Sequence, residues 1–369
     1  MKKLLSSLLA VSVLFGSAAY LVNPNDAADM NFGTQAYAAD IVKSGECGEN
    51  LTWTLDSDGL LSIKGTGKMA KWDFQSIAFS PNTLMDIEFY TDPVPWFDDR
   101  YSIKRVEIGS GVENIGDLAF AGLENMESII MPDSITDIGT KSFLCCRSLK
   151  KVNIPYGTQN ISRGAFYGCC SMESVNIPST VTEIGTEAFH YCSALTEIAI
   201  PNSVEIINNE LLKSCSNLTS VKFSASVKEI DCSVLEECPA LKNVIVMNPE
   251  CGIEDALETL GGAPERCDVY SYEGSTAQEY ARKYGYRFIS IMLGDTDRDK
   301  TVNASDASLI LADYASSATG EGHILTVGEC VAADVNSDNA IDSSDASVVL
   351  AYYAYTATGG SLSLEEFMS

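Results

Sequence analysis

The chain has 369 residues, of which 51 are acidic and 24 are basic, so its formal net charge at pH 7 is −27. So acidic a chain is repelled by nucleic acid and by anionic membranes, which argues against both as partners. The acidity suits an extracellular protein and the binding of cations. The length predicts about two or three domains.

Residues 1–38 have the pattern of a secretory signal peptide. Lys2 and Lys3 precede an apolar run over 4–22, and small residues at 17–19 and 36–38 offer cleavage sites. A membrane anchor is the alternative, because the run is nearly long enough to span a bilayer. No positively charged stop follows the run, so we expect cleavage, secretion to the extracellular space and no membrane span in the mature chain.

A repeat of 23 residues fills the middle of the chain. Isoleucines recur at this spacing, and a large apolar residue stands five positions after each: the two series are Ile115, Ile138, Ile161, Ile184, Ile207, Ile230 and Phe120, Phe143, Phe166, Phe189, Leu212, Leu235. The units end in an alternating apolar pattern, often before proline, which predicts a short strand. Stacked units share a core that one unit cannot form alone, so the repeat predicts a solenoid with parallel strands.

Cysteine occupies one slot of this repeat. Five of the twelve cysteines stand 23 residues apart: Cys146, Cys169, Cys192, Cys215 and Cys238. Side chains in one slot stack in parallel, which is poor geometry for a disulfide, and a free cysteine behaves as a small buried hydrophobe. We therefore expect a reduced ladder in the core. The doublets 145–146 and 169–170 leave open a bridge between neighbouring coils.

The units resemble the BspA-like leucine-rich repeats of bacterial surface proteins, most clearly in VTEIGTEAFHYCSALTEIAIPNS, residues 181–203. The resemblance covers roughly 41–289 and implies an α/β leucine-rich-repeat solenoid with parallel strands over 96–291. CGENLTWTLDSDGLLSIKGTGKM, which begins at Cys47, resembles the hairpin found before such repeats, so residues 39–95 are expected to form an N-terminal β cap. Residues 269–291 resemble the family's end unit, with a helical stripe at Ala277, Tyr280, Ala281 and Tyr284.

The outward positions of the expected strands form two columns without an aromatic ring. They are Glu107, Ile130, Asn153, Asn176, Ala199, Lys222, Ile245 and Arg105, Ser128, Lys151, Ser174, Glu197, Ser220, Asn243. Sugar-binding faces generally offer flat apolar rings, so a protein or a cell surface is a better expectation than a glycan for a ligand of the solenoid. A plain scaffold without any ligand fits these columns as well.

The sequence offers little support for catalysis. It has two histidines: His190 lies at a variable position of one coil, and His323 lies between the two acidic stretches described below. The nucleophile motif G-x-S-x-G and the zinc motif H-E-x-x-H are both absent from it. An Asp/Glu pair of the glycosidase type could form by folding, but no spacing selects one.

Two stretches near the C-terminus, 295–320 and 334–359, repeat oxygen-bearing side chains at an offset of 39 residues. The residues at loop positions 1, 3, 5, 9 and 12 are Asp295, Asp297, Asp299, Asn303, Asp306 in the first and Asp334, Asn336, Asp338, Asp342, Asp345 in the second. Calcium takes about six to eight oxygen ligands, and a 12-residue loop supplies them from these positions, with the position-seven carbonyl (Thr301, Ala340) as a further ligand. The stretches therefore predict two bound calcium ions. Two acidic turns without metal would not reproduce five ligand positions twice.

The loops depart from the EF-hand pattern at two positions. Lys300 and Asn339 replace the glycine at position six, where we expect a sharp turn with positive φ. Asparagine tolerates that conformation and lysine carries a modest penalty, so the first loop is expected to bind calcium more weakly. Asp replaces Glu at position twelve, and a helix is expected after each loop but not before it.

A loop followed by an exiting helix, used twice, resembles the type I dockerin, the module that plugs proteins into cohesins of a cellulosome scaffoldin. The resemblance covers 294 to about 360, within an expected dockerin domain of 294–369. It implies that calcium orders the loops and couples folding to binding. It also implies a cohesin as partner, which loop positions 10 and 11 and nearby helix residues help to choose; those loop positions are Ala304, Ser305, Ser343 and Ser344. The halves are so alike that either could lead, giving two docking orientations.

These features favour a non-catalytic cellulosome component that displays its repeats as a binding domain. A cellulosomal enzyme of polysaccharide degradation (an O-glycosyl hydrolase) is one alternative, because such enzymes are the usual cargo of dockerins. A surface adhesin held by calcium-dependent docking is another. The first interpretation is preferred because only about 70–95 is left unassigned, far below the size of a catalytic domain.

Overall fold

A computed structural model describes residues 39–70, 72, 77–80, 83–89 and 94–368. The predicted signal peptide, 1–38, lies outside the described residues. No helix of the described residues is long and apolar enough to cross a membrane.

The described chain begins with an antiparallel meander. Its strands are β1 (Ile41–Gly48), β2 (Leu51–Asp56) and β3 (Leu60–Gly65), and a separate hairpin follows in β4 (Ile77–Ser80) and β5 (Thr83–Phe89). Leu51, Trp53 and Leu55 alternate along β2 and are buried, as one sheet face against a core requires. β3 then pairs in parallel with the first strand of the repeats, so the meander covers the first coil.

Each coil of the repeat region contributes two short strands. The longer ones are β6 (Arg105–Ile108), β8 (Ser128–Ile130), β10 (Lys151–Asn153), β12 (Ser174–Asn176), β14 (Glu197–Ala199), β16 (Ser220–Phe223) and β18 (Asn243–Val246). The two-residue ones are β7 (Asn114–Ile115), β9 (Asp137–Ile138), β11 (Asn160–Ile161), β13 (Glu183–Ile184), β15 (Ile206–Ile207), β17 (Glu229–Ile230) and β19 (Gly252–Ile253). Pairing is parallel and follows the sequence repeat, as Val152 opposite Val175 illustrates. The parallel-strand leucine-rich-repeat solenoid is confirmed.

A stack of aromatic rings runs through the middle of the solenoid. Phe143 and Phe166 lie parallel with centroids 5.0 Å apart, and Phe166 and Phe189 repeat the arrangement at 5.4 Å. Trp96 and Phe120 continue the stack toward the meander. These rings are fully buried, so the repeat's large apolar slot forms a continuous core.

In each coil, the segment between the two-residue strand and the next longer strand consists of turns. Between residues 94 and 275, all of which the structure describes, no α-helix forms; the α content of the α/β solenoid lies in its end unit. One slot of these turns has φ between 52° and 62° in successive coils: Leu118, Lys141, Gly164, Glu187, Glu210 and Ser233. Hydrogen bonds between coils hold this conformation, for example from Lys141 N to Arg163 O at 2.9 Å.

The cysteine slot forms a ladder of thiols. All twelve cysteines fall within the described residues, and all are free. Each thiol of the slot donates to a carbonyl of the preceding coil, as from Cys169 Sγ to Phe143 O at 3.2 Å and from Cys192 Sγ to Phe166 O at 3.3 Å. A buried thiol thus fills a small apolar space and satisfies a backbone acceptor at once.

The solenoid ends in a unit of two strands and a helix: β20 (Asp268–Ser271), α1 (Thr276–Tyr284) and β21 (Arg287–Ser290). Ser275 caps the start of α1 by accepting from Gln278 N, and Gly285, at φ 82°, ends the helix. Ala277, Tyr280 and Ala281 are buried as their spacing predicts.

Four helices follow: α2 (Ala304–Ala318), α3 (Val327–Ala333), α4 (Ser343–Ala357) and α5 (Leu364–Met368). α2 and α4 pack against each other and bury Ile310 and Val349. The linker between the two acidic stretches, residues 321–333, is held in place by Asp313 of α2. Its buried carboxylate accepts from Ile324 N at 2.7 Å and Leu325 N at 3.1 Å.

Candidate metal centre and docking surface

The first acidic loop is folded around its own carboxylates before α2 begins. Asp295, Asp297 and Asp299 bring carboxylate oxygens within 4.8 Å of one another. Asp297 accepts from Asp299 N at 3.1 Å, and Asp299 accepts from Thr301 N at 2.8 Å. Asn303 caps α2 by accepting from Ser305 N at 2.7 Å. The loop is therefore a chain of tight turns with its oxygens drawn toward one point.

The second loop repeats this framework at equivalent positions. Asn336 accepts from Asp338 N at 2.9 Å, and Asp338 accepts from Ala340 N at 2.8 Å. Asp342 caps α4 by accepting from Ser344 N at 2.6 Å. Positions three, five and nine therefore make the same hydrogen bonds in both loops.

The position-twelve aspartates tie the two ends of each loop together. Asp306 accepts from Thr296 N at 2.7 Å, Asp297 N at 3.1 Å and Asn303 N at 2.8 Å. Asp345 accepts from Asn336 N at 3.3 Å and Asp342 N at 3.0 Å. Each carboxylate is fully buried, so position twelve joins the start of the loop to the N-terminus of the helix that follows it.

The position-one aspartates carry a buried oxygen that nothing satisfies. Lys300 N donates to Asp295 Oδ2 at 3.0 Å, and Asn339 N donates to Asp334 Oδ2 at 3.2 Å. The other oxygen of each, Oδ1, is buried and has no hydrogen-bond partner among the described residues. An unpaired buried carboxylate oxygen is costly, and a hard cation is its natural partner. The residues present therefore fit calcium.

The electrostatics within the loops also favour a bound cation. Burial raises the pKa of Asp295, and the nearby Asp306 and Asp297 carboxylates add to it, against the hydrogen bond from Lys300 N. Burial also raises the pKa of Asp345, with Asp334 and Asp338 contributing. Clustered carboxylates destabilise one another's charged forms, and a divalent cation removes that penalty.

The expected turn at position six is present. Lys300 has φ 71° and Asn339 has φ 67°, both in the left-handed region. Position four adopts the same region, with Arg298 at 61° and Ser337 at 58°. Thr301 and Ala340 lie at position seven, and their carbonyl contribution stays a prediction.

The second loop makes contacts that the first does not. Lys222, on strand β16 of the solenoid, donates from its ammonium to Asp334 Oδ2, and Asn202 Nδ2 donates to Ser337 O at 3.1 Å. Lys222 lies in the column that the sequence assigns to the outward face, and it ends on a predicted calcium ligand. Spacing alone gave no hint of this pair, because its partners are 112 residues apart.

The end of that same column is covered rather than exposed. Ile245 and Tyr270 are buried in one cluster with residues of the helical region, among them Ala307, Ile310 and Val331. The expectation of a solvent-facing position at 245 is therefore wrong: the helices that follow the solenoid pack on its last strands. Ile130, earlier in the column, remains 63% exposed.

The predicted partner-binding residues Ala304, Ser305, Ser343 and Ser344 are all exposed at the first turns of α2 and α4. Large apolar side chains extend the exposed faces of both helices: Leu311 and Leu350 are 42% and 43% exposed, and Tyr314 and Tyr353 are 45% and 44% exposed. The sequence predicts a helix after each loop but does not separate its exposed apolar residues from its buried ones. Their matched positions could have suggested a shared surface.

Solved structures similar to the chain are leucine-rich-repeat proteins. One is the leucine-rich repeat protein TpLRR of T. pallidum, 21% identical, covering 66% of this chain and 98% of that one, with TM-score 0.35. Another is from Bacteroides ovatus, 20% identical, covering 61% and 70%, with TM-score 0.39. A third is from Eubacterium ventriosum, 19% identical, covering 62% and 84%, with TM-score 0.29. No curated protein matches the chain.

Two family models match successive parts of the sequence. The BspA type leucine-rich repeat region matches residues 95–169 and 137–255, in six copies. The dockerin type I domain matches residues 293–353, which include both acidic loops, α2 and most of α4. Residues 95–255 are therefore BspA type leucine-rich repeats, and residues 293–353 after them form a type I dockerin domain, in the order that the sequence predicts.

Proposed function

We propose that the chain is a non-catalytic cellulosome component whose dockerin binds a scaffoldin cohesin in a calcium-dependent way and displays the repeats as an interaction domain. Both families are interaction modules, which supports the coarser role. The observation that carries the calcium part is the buried, unpaired Oδ1 of Asp295 and of Asp334 at the same position of two matching loops.

One calcium ion would be held in each loop. The ligands are Asp295, Asp297, Asp299, Thr301, Asn303 and Asp306 in the first and Asp334, Asn336, Asp338, Ala340, Asp342 and Asp345 in the second. When bound, calcium supplies positive charge that relieves the repulsion among these carboxylates. The loops are continuous with the first turns of α2 and α4, so ordering them fixes the ends of both helices.

The cohesin surface combines the exposed loop residues with the exposed helix faces. Ala304, Ser305, Ser343 and Ser344 provide small contacts and hydroxyls, while Leu311, Tyr314, Leu350 and Tyr353 provide apolar area. Apolar and aromatic residues in the centre of a patch with a polar rim are typical of stable protein interfaces.

The solenoid makes the two docking orientations unequal. Ser347 and Ala351 of α4 line a cleft together with Asn202 and Ser226 of the solenoid. Ser308, which matches Ser347 in the first half, is exposed on α2. A cohesin that covers this face of α4 would therefore lie beside the repeats. We expect the α2-led orientation to predominate in the full chain.

We also propose that the chain is exported and that it consists of four parts. Residues 1–38 are a signal peptide that is removed, 39–95 an N-terminal cap, 96–291 the solenoid with its end unit, and 294–369 the dockerin. The mature protein is then extracellular and cellulosome-associated. The repeats would face a protein or a cell surface, while the dockerin fixes the chain to its scaffold.

The test removes both position-one ligands. Asp295→Ala together with Asp334→Ala is expected to abolish binding to a panel of type I cohesins by titration calorimetry and the calcium-induced rise in helicity by circular dichroism. Asp58→Ala, at an exposed turn of the N-terminal meander, is the matched control and keeps both. Full cohesin binding by the double variant would contradict the proposal.

A further inference from the structure

A second cluster of metal-binding side chains lies on the turn side of the solenoid, far along the chain from the acidic loops. Glu187 and His190 belong to one coil, and Glu210 belongs to the next. Glu187 and Glu210 occupy the slot with positive φ, at 62° and 56°. Equivalent slots of neighbouring coils stack, so two carboxylates are placed one above the other beside a single imidazole.

His190 is the unusual member of this cluster. It is only 6% exposed, yet neither ring nitrogen has a hydrogen-bond partner among the described residues. Tyr191 stacks on the imidazole at 4.6 Å between centroids, and Tyr167 lies against it at 4.8 Å. The aromatic neighbours hold the ring in place, and Nδ1 lies 3.5 Å from Glu210 Oε2.

The ligand atoms of all three residues lie within 4.8 Å of one another. A buried imidazole without any hydrogen bond is costly, and two carboxylates at this distance repel each other. A cation placed between them would satisfy the ring nitrogen and both carboxylates together.

We propose that Glu187, His190 and Glu210 form a binding site for a divalent transition-metal ion, with zinc as the best match. Imidazole nitrogen and carboxylate oxygen are common zinc ligands, and three protein ligands leave a position for water. Calcium is a poor match because it takes oxygen ligands. The site is thus distinct in chemistry from the dockerin loops.

The cluster needs little rearrangement to hold zinc. Donor atoms about 2 Å from a tetrahedral ion lie roughly 3.3 Å apart, so the side chains must close by up to about 1.5 Å. Glutamate side chains are long enough to do this without backbone movement.

Two cations compete with the metal for the carboxylates. Arg163 lies 3.3 Å from Glu187 Oε2, and its side chain is 61% exposed. Lys213 lies 3.5 Å from Glu210 Oε1 and 2.8 Å from Glu236. An exposed ion pair contributes little, so zinc can displace Arg163 from Glu187. Lys213 keeps Glu236 as its partner when Glu210 turns inward. Because Arg163 still competes for Glu187, removing Arg163 should strengthen metal binding modestly.

NMR of the histidine ring nitrogens tests the site directly, because the chain has only two histidines and their signals can be told apart. The full chain, labelled with ¹⁵N-histidine and saturated with calcium, is titrated with zinc. We expect the ring nitrogens of His190 to shift, with saturation at one zinc per chain, while those of His323 do not. Unchanged His190 signals at a tenfold excess of zinc would overturn the proposal.

Variants separate a metal site from an ion-pair network. Glu187→Gln with Glu210→Gln is expected to weaken zinc binding by at least about tenfold, whereas the matched Glu205→Gln, in the exposed pair with Lys228, is expected to leave it unchanged. Arg163→Gln, an exposed change that leaves the fold intact, is expected to tighten binding by about two- to fivefold. Equal zinc affinity in the double-glutamine variant, or weaker binding in Arg163→Gln, would also overturn the proposal.

Discussion

Lys300 occupies a backbone position of the candidate metal centre that favours glycine. Its φ of 71° belongs to a conformation in which a side chain beyond glycine is strained. The sequence predicted this turn because position six of a calcium loop requires it. It also predicted that Asp295, Asp297 and Asp299 lie together, because their loop positions converge.

Replacing Lys300 with glycine should therefore strengthen the first loop. Relief of the left-handed strain is expected to raise calcium affinity there by about two- to fivefold. Calcium titration of the Asp334→Ala variant isolates the first loop for this measurement. Lys300→Ala is the matched control, since it removes the ammonium but keeps the Cβ, and it should give no comparable gain. Equal affinities for the two variants would refute the role assigned to backbone strain.

The aspartate at position one of each loop marks the limit of what the sequence predicts at this scale. Spacing identifies Asp295 and Asp334 but does not reveal that one oxygen of each is buried and unpaired. It also gives no sign of His190 as a ligand, since a histidine at a variable position has no partner within its own repeat. Both features arise from packing between elements that are distant in sequence.

The repeating coil is the element that the sequence predicted most fully. Its isoleucine, phenylalanine and cysteine slots are all buried, because residues 23 positions apart occupy the same inward position of successive coils. The turns were not predictable to the same degree. Leu118, Lys141 and Glu187 adopt positive φ without being glycine, since hydrogen bonds between coils impose that conformation.

The thiol ladder makes a prediction about chemical reactivity. Burial raises the pKa of Cys146, Cys169, Cys192, Cys215 and Cys238, and the thiolate is the reactive form. An aromatic disulfide reagent at pH 8 is expected to modify at most the three partly exposed thiols, Cys170, Cys232 and Cys330, until the protein is denatured. Twelve thiols should then react. Fewer than twelve after denaturation would reveal bridges and contradict the reduced ladder.

At the scale of the whole molecule, the dockerin and the solenoid share a core. Ile245 and Tyr270 on the last strands pack against the helices, and Lys222 pairs with Asp334. The sequence predicted both parts and their order, but it carried no information on their contact. These residues meet the dockerin only when the solenoid is folded, because its parallel strands place residues from successive coils on one face.

Lys222 and the proposed calcium ion would compete for the same carboxylate of the second loop, that of Asp334. Lys222→Gln is expected to raise calcium affinity there by about tenfold, since a hydrogen bond to a charged group contributes about 1.5 kcal/mol. Calorimetry in an Asp295→Ala background isolates the second loop. Lys228→Gln, which removes an exposed pair with Glu205, is the matched control and should not change the affinity. No gain in Lys222→Gln would mean that the ion pair does not oppose metal binding.

The most direct test of the account is the affinity of the full chain for a type I cohesin, measured by calorimetry in calcium and again in excess chelator. Binding in calcium, loss by at least about a hundredfold in chelator, and recovery when calcium is restored are the predicted results, because ordered loops fix both docking helices. Equal affinity in calcium and in chelator would contradict a calcium-ordered docking surface.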